Sequence, residues 1–400
     1  MKQNYKIMIV VGEVSGDTHA AKLVGALREA APETNFEIFG ATSEKLRAVG
    51  VETIVDADNL AIIGLPEIAR SLPMFWKTFQ TLKKTAIKKK PDVVILVDFP
   101  EFNLKLAKTL KKNGLKVIYY ISPQLWAWRE YRVRSIEKYV DLLLTILPFE
   151  KDWYRKKGIH HVEYIGNTLV GEVEAQVSKE EFCRKYNLDV NRPIISLLPG
   201  SRQTEISRIL PILLETAASM AEKNASLQFV VGLSSTRKIT EVQMAIKKVE
   251  NRKIKLPKIL IVQNETYDAL NASDVVAVAS GTATLETAII GTPMAIVYRA
   301  SNFNYKLLRP LITTRYFGLI NLIAQKSLVK ELIQNDFTKE SLSAELFRLL
   351  EPEINKRMRR KLHEATETLG RGGAARSAAR IILKFLQEKK SANKSNLHFL

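Results

Sequence analysis

The stretch YKIMIVVGEVSGDTHAAKLVGALREAA, residues 5–31, carries the first half of the fold. A β-branched apolar run leads into a glycine-bearing turn and then into a helix whose Leu23, Val24, Leu27 and Ala31 recur at helical spacing. A turn of this kind between strand and helix is where a ligand approaches backbone, yet GEVSGD is neither G-x-G-x-x-G nor a Walker loop.

The unit repeats. FEIFG, PDVVILVD, LKVIYYIS, DLLLTIL and HVEYIG follow as short apolar runs separated by helical patterns, up to about residue 166. Runs apolar on both faces are those of parallel strands covered by helices on either side. The pattern weakens near residue 170 and restarts at RPIISLLPGSR, followed by LQFVVGL, KILIVQ, DVVAVAS and TPMAIVY. The expectation is α/β, with two Rossmann-like doubly wound domains spanning residues 1–169 and 170–350. Residues 351–400 form a basic helical tail with 12 Lys+Arg against 5 Asp+Glu.

The chain has 400 residues, 46% hydrophobic and 26% charged, enough for two cores. One cysteine, Cys183, excludes an intramolecular disulfide and fits a reducing compartment. No apolar run is long enough for a signal peptide or membrane span. The net charge of +19 attracts polyanions, anionic lipid or phosphorylated substrates. Zinc-finger and RNA-binding signatures are missing, so a nucleic-acid partner is not expected. The histidines show no metal-ligand spacing, so a catalytic metal is not expected; the expectation for cofactors is none.

In open α/β sheets ligands sit at the carboxyl ends of strands, so the loops there carry the function. In ASGTATLETAIIGTP, residues 279–293, Ser280, Gly281, Thr282, Ala283 and Thr284 open a helix whose free N–H groups favour phosphate. Glu286, one turn in, could take ribose hydroxyls or merely complement the helix dipole. In LLPGSRQTEI, residues 197–206, Gly200 and Ser201 turn the chain. Arg202 projects as a guanidinium able to neutralise a diphosphate, or as an ordinary surface arginine. VDFPEFN, residues 97–103, offers Asp98 and Glu101 as general-base candidates or as a capping pair. ISPQLWAWR, residues 121–129, offers Trp126 and Trp128 as a sugar or acyl surface, or as packing.

Together GEVSGD, SPQLWAWR, LLPGSRQTEI and ASGTATLETAIIGTPMAIVYR resemble the lipid-A-disaccharide synthases, in that family's order and across residues 12–299. The resemblance implies a GT-B fold, two Rossmann-like domains facing across a cleft with a C-terminal helix returning to the first. It implies transfer from UDP-2,3-diacylglucosamine to the 6-hydroxyl of 2,3-diacylglucosamine 1-phosphate, without a metal. The SGTATLE helix start and Arg202 would then hold UDP. Glu13, Ser15, Gly16 and Asp17 would line the acceptor side, with Gly12 and Gly16 permitting the tight turn and Asp17 free to cap the following helix as well. Asn321 in FGLINL matches a family asparagine, here without the usual preceding proline. DFPEFN departs from the usual D-x-P-D-F-N, which leaves the base open between Glu101 and Asp98. Rival readings are another UDP-sugar enzyme of this fold, such as a UDP-N-acetylglucosamine epimerase, and a non-catalytic basic protein.

Residues 59–90 supply a membrane candidate. Leu65, Ile68, Leu72, Phe75, Trp76 and Phe79 recur at helical spacing, interrupted by Pro66 and Pro73 and followed closely by lysines. That is the pattern of a helix lying in a lipid interface. The expectation is a peripheral protein on the cytoplasmic leaflet with an anionic membrane surface as partner. A homo-oligomer is compatible with the sequence.

Overall fold

The computed structural model describes residues 3–58, 68–234, 237–301 and 314–397, with 68–72 and 389–397 as helical backbone only. The chain divides into two compact units, Met1–Thr168 with Gly372–Leu400, and Leu169–Arg371.

The first unit holds a parallel sheet of β1 (Asn4–Val10), β2 (Asn35–Thr42), β3 (Glu52–Asp56), β4 (Val93–Val97), β5 (Val117–Tyr120), β6 (Leu142–Thr145) and β7 (Val162–Tyr164), in the order β3-β2-β1-β4-β5-β6-β7. Every residue of β4 is buried, and its side chains divide between two cores on opposite faces of the sheet. Helices Val14–Ala30 and Ala374–Leu397 cover one face. Helices Ile68–Lys89 and Pro100–Lys112 cover the other. Each fully buried Val, Leu or Ile contributes roughly 1.5–3 kcal/mol relative to exposure.

The second unit repeats the plan with β8 (Ile194–Leu198), β9 (Gln228–Leu233), β10 (Ile259–Gln263), β11 (Val275–Ala279), β12 (Met294–Tyr298) and β13 (Glu331–Ile333), in the order β10-β9-β8-β11-β12-β13. Helix Pro352–Glu367 belongs to this unit, and Ala374–Leu397 returns to the first. Arg359 ties the former down through Gly291 O and Ser273 O, both at 3.2 Å.

Two strands have no counterpart in the sequence reading. β3 and β13 lie at sheet edges and lack fully buried runs, so they leave no apolar signature. The helix at Ile68–Lys89 runs through Pro73, where an interruption was expected.

The strand order reverses between β1 and β4 in one sheet and between β8 and β11 in the other. These switch points splay the following loops apart and open a crevice at the strand ends. The first brings GEVSGD together with DFPEFN, and the second brings LLPGSR together with ASGTATLE.

Candidate functional site

At the first switch point the chain leaves β4 through two consecutive residues in the left-handed region, Asp98 at φ 45° and Phe99 at φ 48°. Such backbone costs on the order of 1–3 kcal/mol per residue and persists only when its surroundings hold it. Asn103 Nδ2 donates to Val97 O (3.1 Å) and Asp98 O (2.8 Å), and the Tyr119 hydroxyl donates to Asp98 O at 2.6 Å. The Phe99 ring stacks on Phe102 at 5.7 Å and lies over Gly12. Gly12 therefore answers to the packing of Phe99. Gly16 sits inside helix Val14–Ala30 in ordinary contact with Val97.

The two carboxylates of this loop have opposite electrostatics. Burial, and then the nearby charge of Glu13, push the Asp98 carboxyl up to about 6, against the pull of the Phe99 backbone N–H. Burial would raise Glu101 too, but Arg132 and Arg129 outweigh it and hold that carboxyl below its ordinary value. Both guanidiniums hydrogen-bond Glu101. A carboxylate tied to two arginines is a poor proton acceptor. Among the described residues Asp98 has no such cation, which separates the two base candidates on physical grounds.

Glu13 and Ser15 are exposed at this end of the sheet. Asp17 is not. It is 1% exposed and accepts Ser43 N (2.8 Å), Lys45 N (2.7 Å) and Leu46 N (3.3 Å), capping the short helix Glu44–Ala48 and not its own. In this structure its oxygens are engaged by the backbone of Ser43 to Leu46.

The two tryptophans of the neighbouring loop also separate. Trp126 is buried, edge-on to Phe149 at 5.1 Å, with Nε1 donating to Glu150 at 3.0 Å. Trp128 is 40% exposed and carries the Arg129 guanidinium 4.0 Å above its ring. Arg129, Arg132 and Glu150 were missed in the sequence. Arg129 closes the motif SPQLWAWR, a signal that was present, whereas an acid opening a helix reads as a dipole complement.

At the second switch point Gly200 has φ 107°, and a Cβ there would lie 2.4 Å from Glu205 Oε2. The glycine lets Glu205 fold back and accept Ser201 N (3.1 Å) and Arg202 N (3.2 Å). The amides of Ser201 and Arg202 are thus engaged by Glu205 in this structure. The Arg202 side chain remains 80% exposed, with a 3.3 Å contact to Glu205.

The ASGTATLE turn differs. Ser280 is engaged through its N–H on Val297 O (2.9 Å) and its hydroxyl on Phe317 O (2.8 Å), and Thr284 bonds back to Gly281 O. Among the described residues the N–H groups of Gly281, Thr282 and Ala283 have no acceptor. Glu286, half-buried, has no hydrogen-bond partner among the described residues, and burial raises its carboxyl. Its charge also helps burial push Tyr267 up to about 12. Unpaired amides at a helix start and an unpaired carboxylate one turn later suit a phosphate and a diol.

Asn321 is fully buried and saturated. It donates to Val329 O and Glu331 Oε1 (2.8 Å each) and accepts Leu328 N and Val329 N (2.9 Å each). In this structure it pins the FGLIN turn from within.

The membrane stripe divides. Phe75 and Phe79 are half-buried against Phe99 and Phe102, at 5.8–6.3 Å between ring centroids. Trp76 is 57% exposed. Leu65 and the side chains of Ile68 and Leu72 lie outside the described residues. No described helix is long and apolar enough to cross a membrane. Among the described residues no three His, Cys, Asp or Glu side chains are grouped to hold a metal.

The profile of the family described as Lipid-A-disaccharide synthetase matches residues 7–385. The lipid-A-disaccharide synthase of Trichlorobacter lovleyi is 38% identical over 384 residues, 96% of this chain and 98% of that protein. That of Syntrophus aciditrophicus is 39% identical over 383 residues, again 96% and 98%. Among solved structures, S. aureus MnaA with UDP matches at TM-score 0.65 and 16% identity, covering 97% of each chain. The calicheamicin glycosyltransferase CalG4 matches at TM-score 0.57 and 14% identity, covering 97% of this chain and 99% of that one. The fold is the α/β, GT-B-type architecture of such enzymes, and the chain belongs to the lipid-A-disaccharide synthase family.

Proposed function

We propose that this chain is an inverting glycosyltransferase that moves 2,3-diacylglucosamine from UDP to the 6-hydroxyl of 2,3-diacylglucosamine 1-phosphate, giving the β(1→6) disaccharide 1-phosphate and UDP. Family membership supports the reaction. The division of labour follows from the two switch points. The first unit activates the acceptor, and the second holds the nucleotide.

Asp98 takes the proton of the 6-hydroxyl as its oxygen attacks the donor's anomeric carbon. The bond to the UDP oxygen breaks on the opposite face, which inverts the configuration. Negative charge grows on the diphosphate. Arg202 and the open amides of Gly281, Thr282 and Ala283 are the groups able to meet it, and Glu286 takes the ribose hydroxyls. The observation that carries this reading is the contrast within one loop: Asp98 half-buried with no paired cation among the described residues, Glu101 pinned by two.

Both substrates carry acyl chains, so they are collected at a bilayer surface. The exposed Trp76 and neighbouring lysines of Ile68–Lys89 suit docking on anionic lipid as a peripheral protein at the cytoplasmic leaflet. The test is UDP release from the diacylated donor, with and without the acceptor. Acceptor-dependent release in wild type and its loss in Asp98→Asn is the expected result. Acceptor-independent release, or full activity in Asp98→Asn, overturns the assignment.

A further inference from the structure

Glu150 is 1% exposed, and among the described residues no cation forms a salt bridge with it. Its Oε1 accepts the Ser122 hydroxyl (2.9 Å) and Trp126 Nε1 (3.0 Å), and its Oε2 accepts Ile146 N (3.2 Å) and Leu147 N (2.9 Å). All four donors come from the two loops that follow β5 and β6. A carboxylate buried without a counter-charge is weak evidence for stability, because its desolvation offsets most of what the hydrogen bonds contribute. What it does supply is position. The Tyr154 hydroxyl, on the same helix as Glu150, adds a bond to Pro123 O at 3.0 Å.

The loop held this way ends in Trp128 and Arg129. Arg129 has φ 59°, and its guanidinium lies on the Trp128 ring while bonding Glu101, three residues from Asp98. The indole is 40% exposed and is joined through Arg129 and Glu101 to the loop that carries the candidate base. The ring face that Arg129 leaves uncovered suits the partly positive C–H face of a pyranose. The guanidinium has five N–H donors and keeps some free for an anionic group on that sugar.

We propose that Trp128 is the stacking platform for the pyranose ring of the phosphorylated sugar acceptor, and that Glu150 is the positioning residue that holds this platform beside Asp98. The proposal rests on the glycosyl-transfer reading and adds to it an acceptor subsite and its support.

The experiment measures initial rates of UDP release with 2,3-diacylglucosamine 1-phosphate and the UDP donor varied in turn, and acceptor binding by calorimetry. Trp128→Ala should raise the acceptor KM and Kd about tenfold while the donor KM moves less than about twofold, and Trp128→Phe should recover most of the loss. Glu150→Gln should shift the acceptor KM in the same sense. Adding Trp128→Ala to it should cost less than about a further twofold, because the two act through one contact. Equal shifts in donor and acceptor KM, or effects of the two substitutions that multiply in full, would overturn the proposal. If Glu150→Gln fails to fold by circular dichroism, Ser122→Ala and Trp126→Phe take its place. Each removes one donor to Glu150 Oε1, with the same pattern expected. A wild-type enzyme that releases no UDP would sink the transfer reading itself. The calorimetric comparison of wild type with Trp128→Ala still decides the platform, where unchanged acceptor affinity counts against it.

Discussion

The ring of Phe99 fills the space that a side chain at Gly12 would need: a Cβ there would lie 2.3 Å from Phe99 Cδ1 and 2.4 Å from Cγ. The contact joins GEVSGD to DFPEFN across the switch point and fixes the residue next to Asp98. Gly12→Ala should therefore force the ring out, destabilise the fold by about 1–3 kcal/mol and lower kcat as Asp98 shifts. Phe99→Ala in the same chain should relieve part of the stability loss, giving a double variant less destabilised than the sum of the singles. Chemical denaturation of the four proteins checks this. Full additivity would mean that the ring and the glycine do not interact.

Asp98→Asn should abolish most turnover, whereas Glu101→Gln should lose less, because Glu101 serves chiefly to bind Arg129 and Arg132. The stability effects should run the other way. A carboxyl whose folded pKa is raised, here from 3.8 to about 6, costs nothing while protonated below pH 3.8 and weakens the fold as pH rises through that window. Removing it should stabilise the protein at neutral pH, on the order of 3 kcal/mol, with the gain fading below about pH 4. In wild type, kcat/KM should rise with pH through about 6 as Asp98 ionises. Melting curves and rate profiles across pH test both. A Glu101→Gln enzyme slower than Asp98→Asn would return the base to Glu101.

The four strand-end loops are legible in the sequence because each follows a run buried on both faces, as in β4, β8 and β11. What the loops do with their polar groups is less legible. Asp17 and Asn321 look like ligand-facing groups in a linear motif, yet their partners here lie in other segments: backbone N–H groups between Ser43 and Leu46 for Asp17, and the Leu328–Val329 backbone with the Glu331 carboxylate for Asn321. Glu205 likewise closes over the amides of Ser201 and Arg202 from one turn downstream. Helical periodicity also cannot tell a stripe facing lipid from one facing a core. Phe75 and Phe79 share spacing with Trp76, but they pack on Phe99 and Phe102.

Arg202 and Glu286 can be separated by what each is asked to do. Arg202→Ala should lower kcat by about 10²–10³ if the guanidinium meets charge on departing UDP. Its exposure means that the melting temperature should hardly change. Glu286→Gln should mainly weaken UDP binding if, as proposed, its half-buried carboxylate accepts the two ribose hydroxyls. Isothermal titration with UDP and steady-state rates give the two readouts. Unchanged UDP affinity in Glu286→Gln would remove the ribose role.

The exposed side of Ile68–Lys89 predicts how the protein meets a bilayer. Trp76 (57% exposed), Lys77, Lys84, Ile87 (38% exposed) and Lys88 fall on one stripe of the helix, opposite Thr78, Leu82 and Ala86, which are buried. Lys89 belongs to the fold, bonded to Glu52 at 2.6 Å and lying over the Phe39 ring. An indole beside lysines suits the interface of an anionic leaflet, where each nearby lysine contributes about 1 kcal/mol, screened by salt. Trp76→Ser with Lys77, Lys84 and Lys88 changed to Gln should weaken sedimentation with phosphatidylglycerol vesicles at low salt. The deficit should shrink as salt rises, with the melting temperature kept. Phe75→Ser or Phe79→Ser should instead lower the melting temperature, because each removes a ring from the core behind Asp98. Vesicle binding by the stripe variant as tight as wild type would show that this helix face is not the anchor.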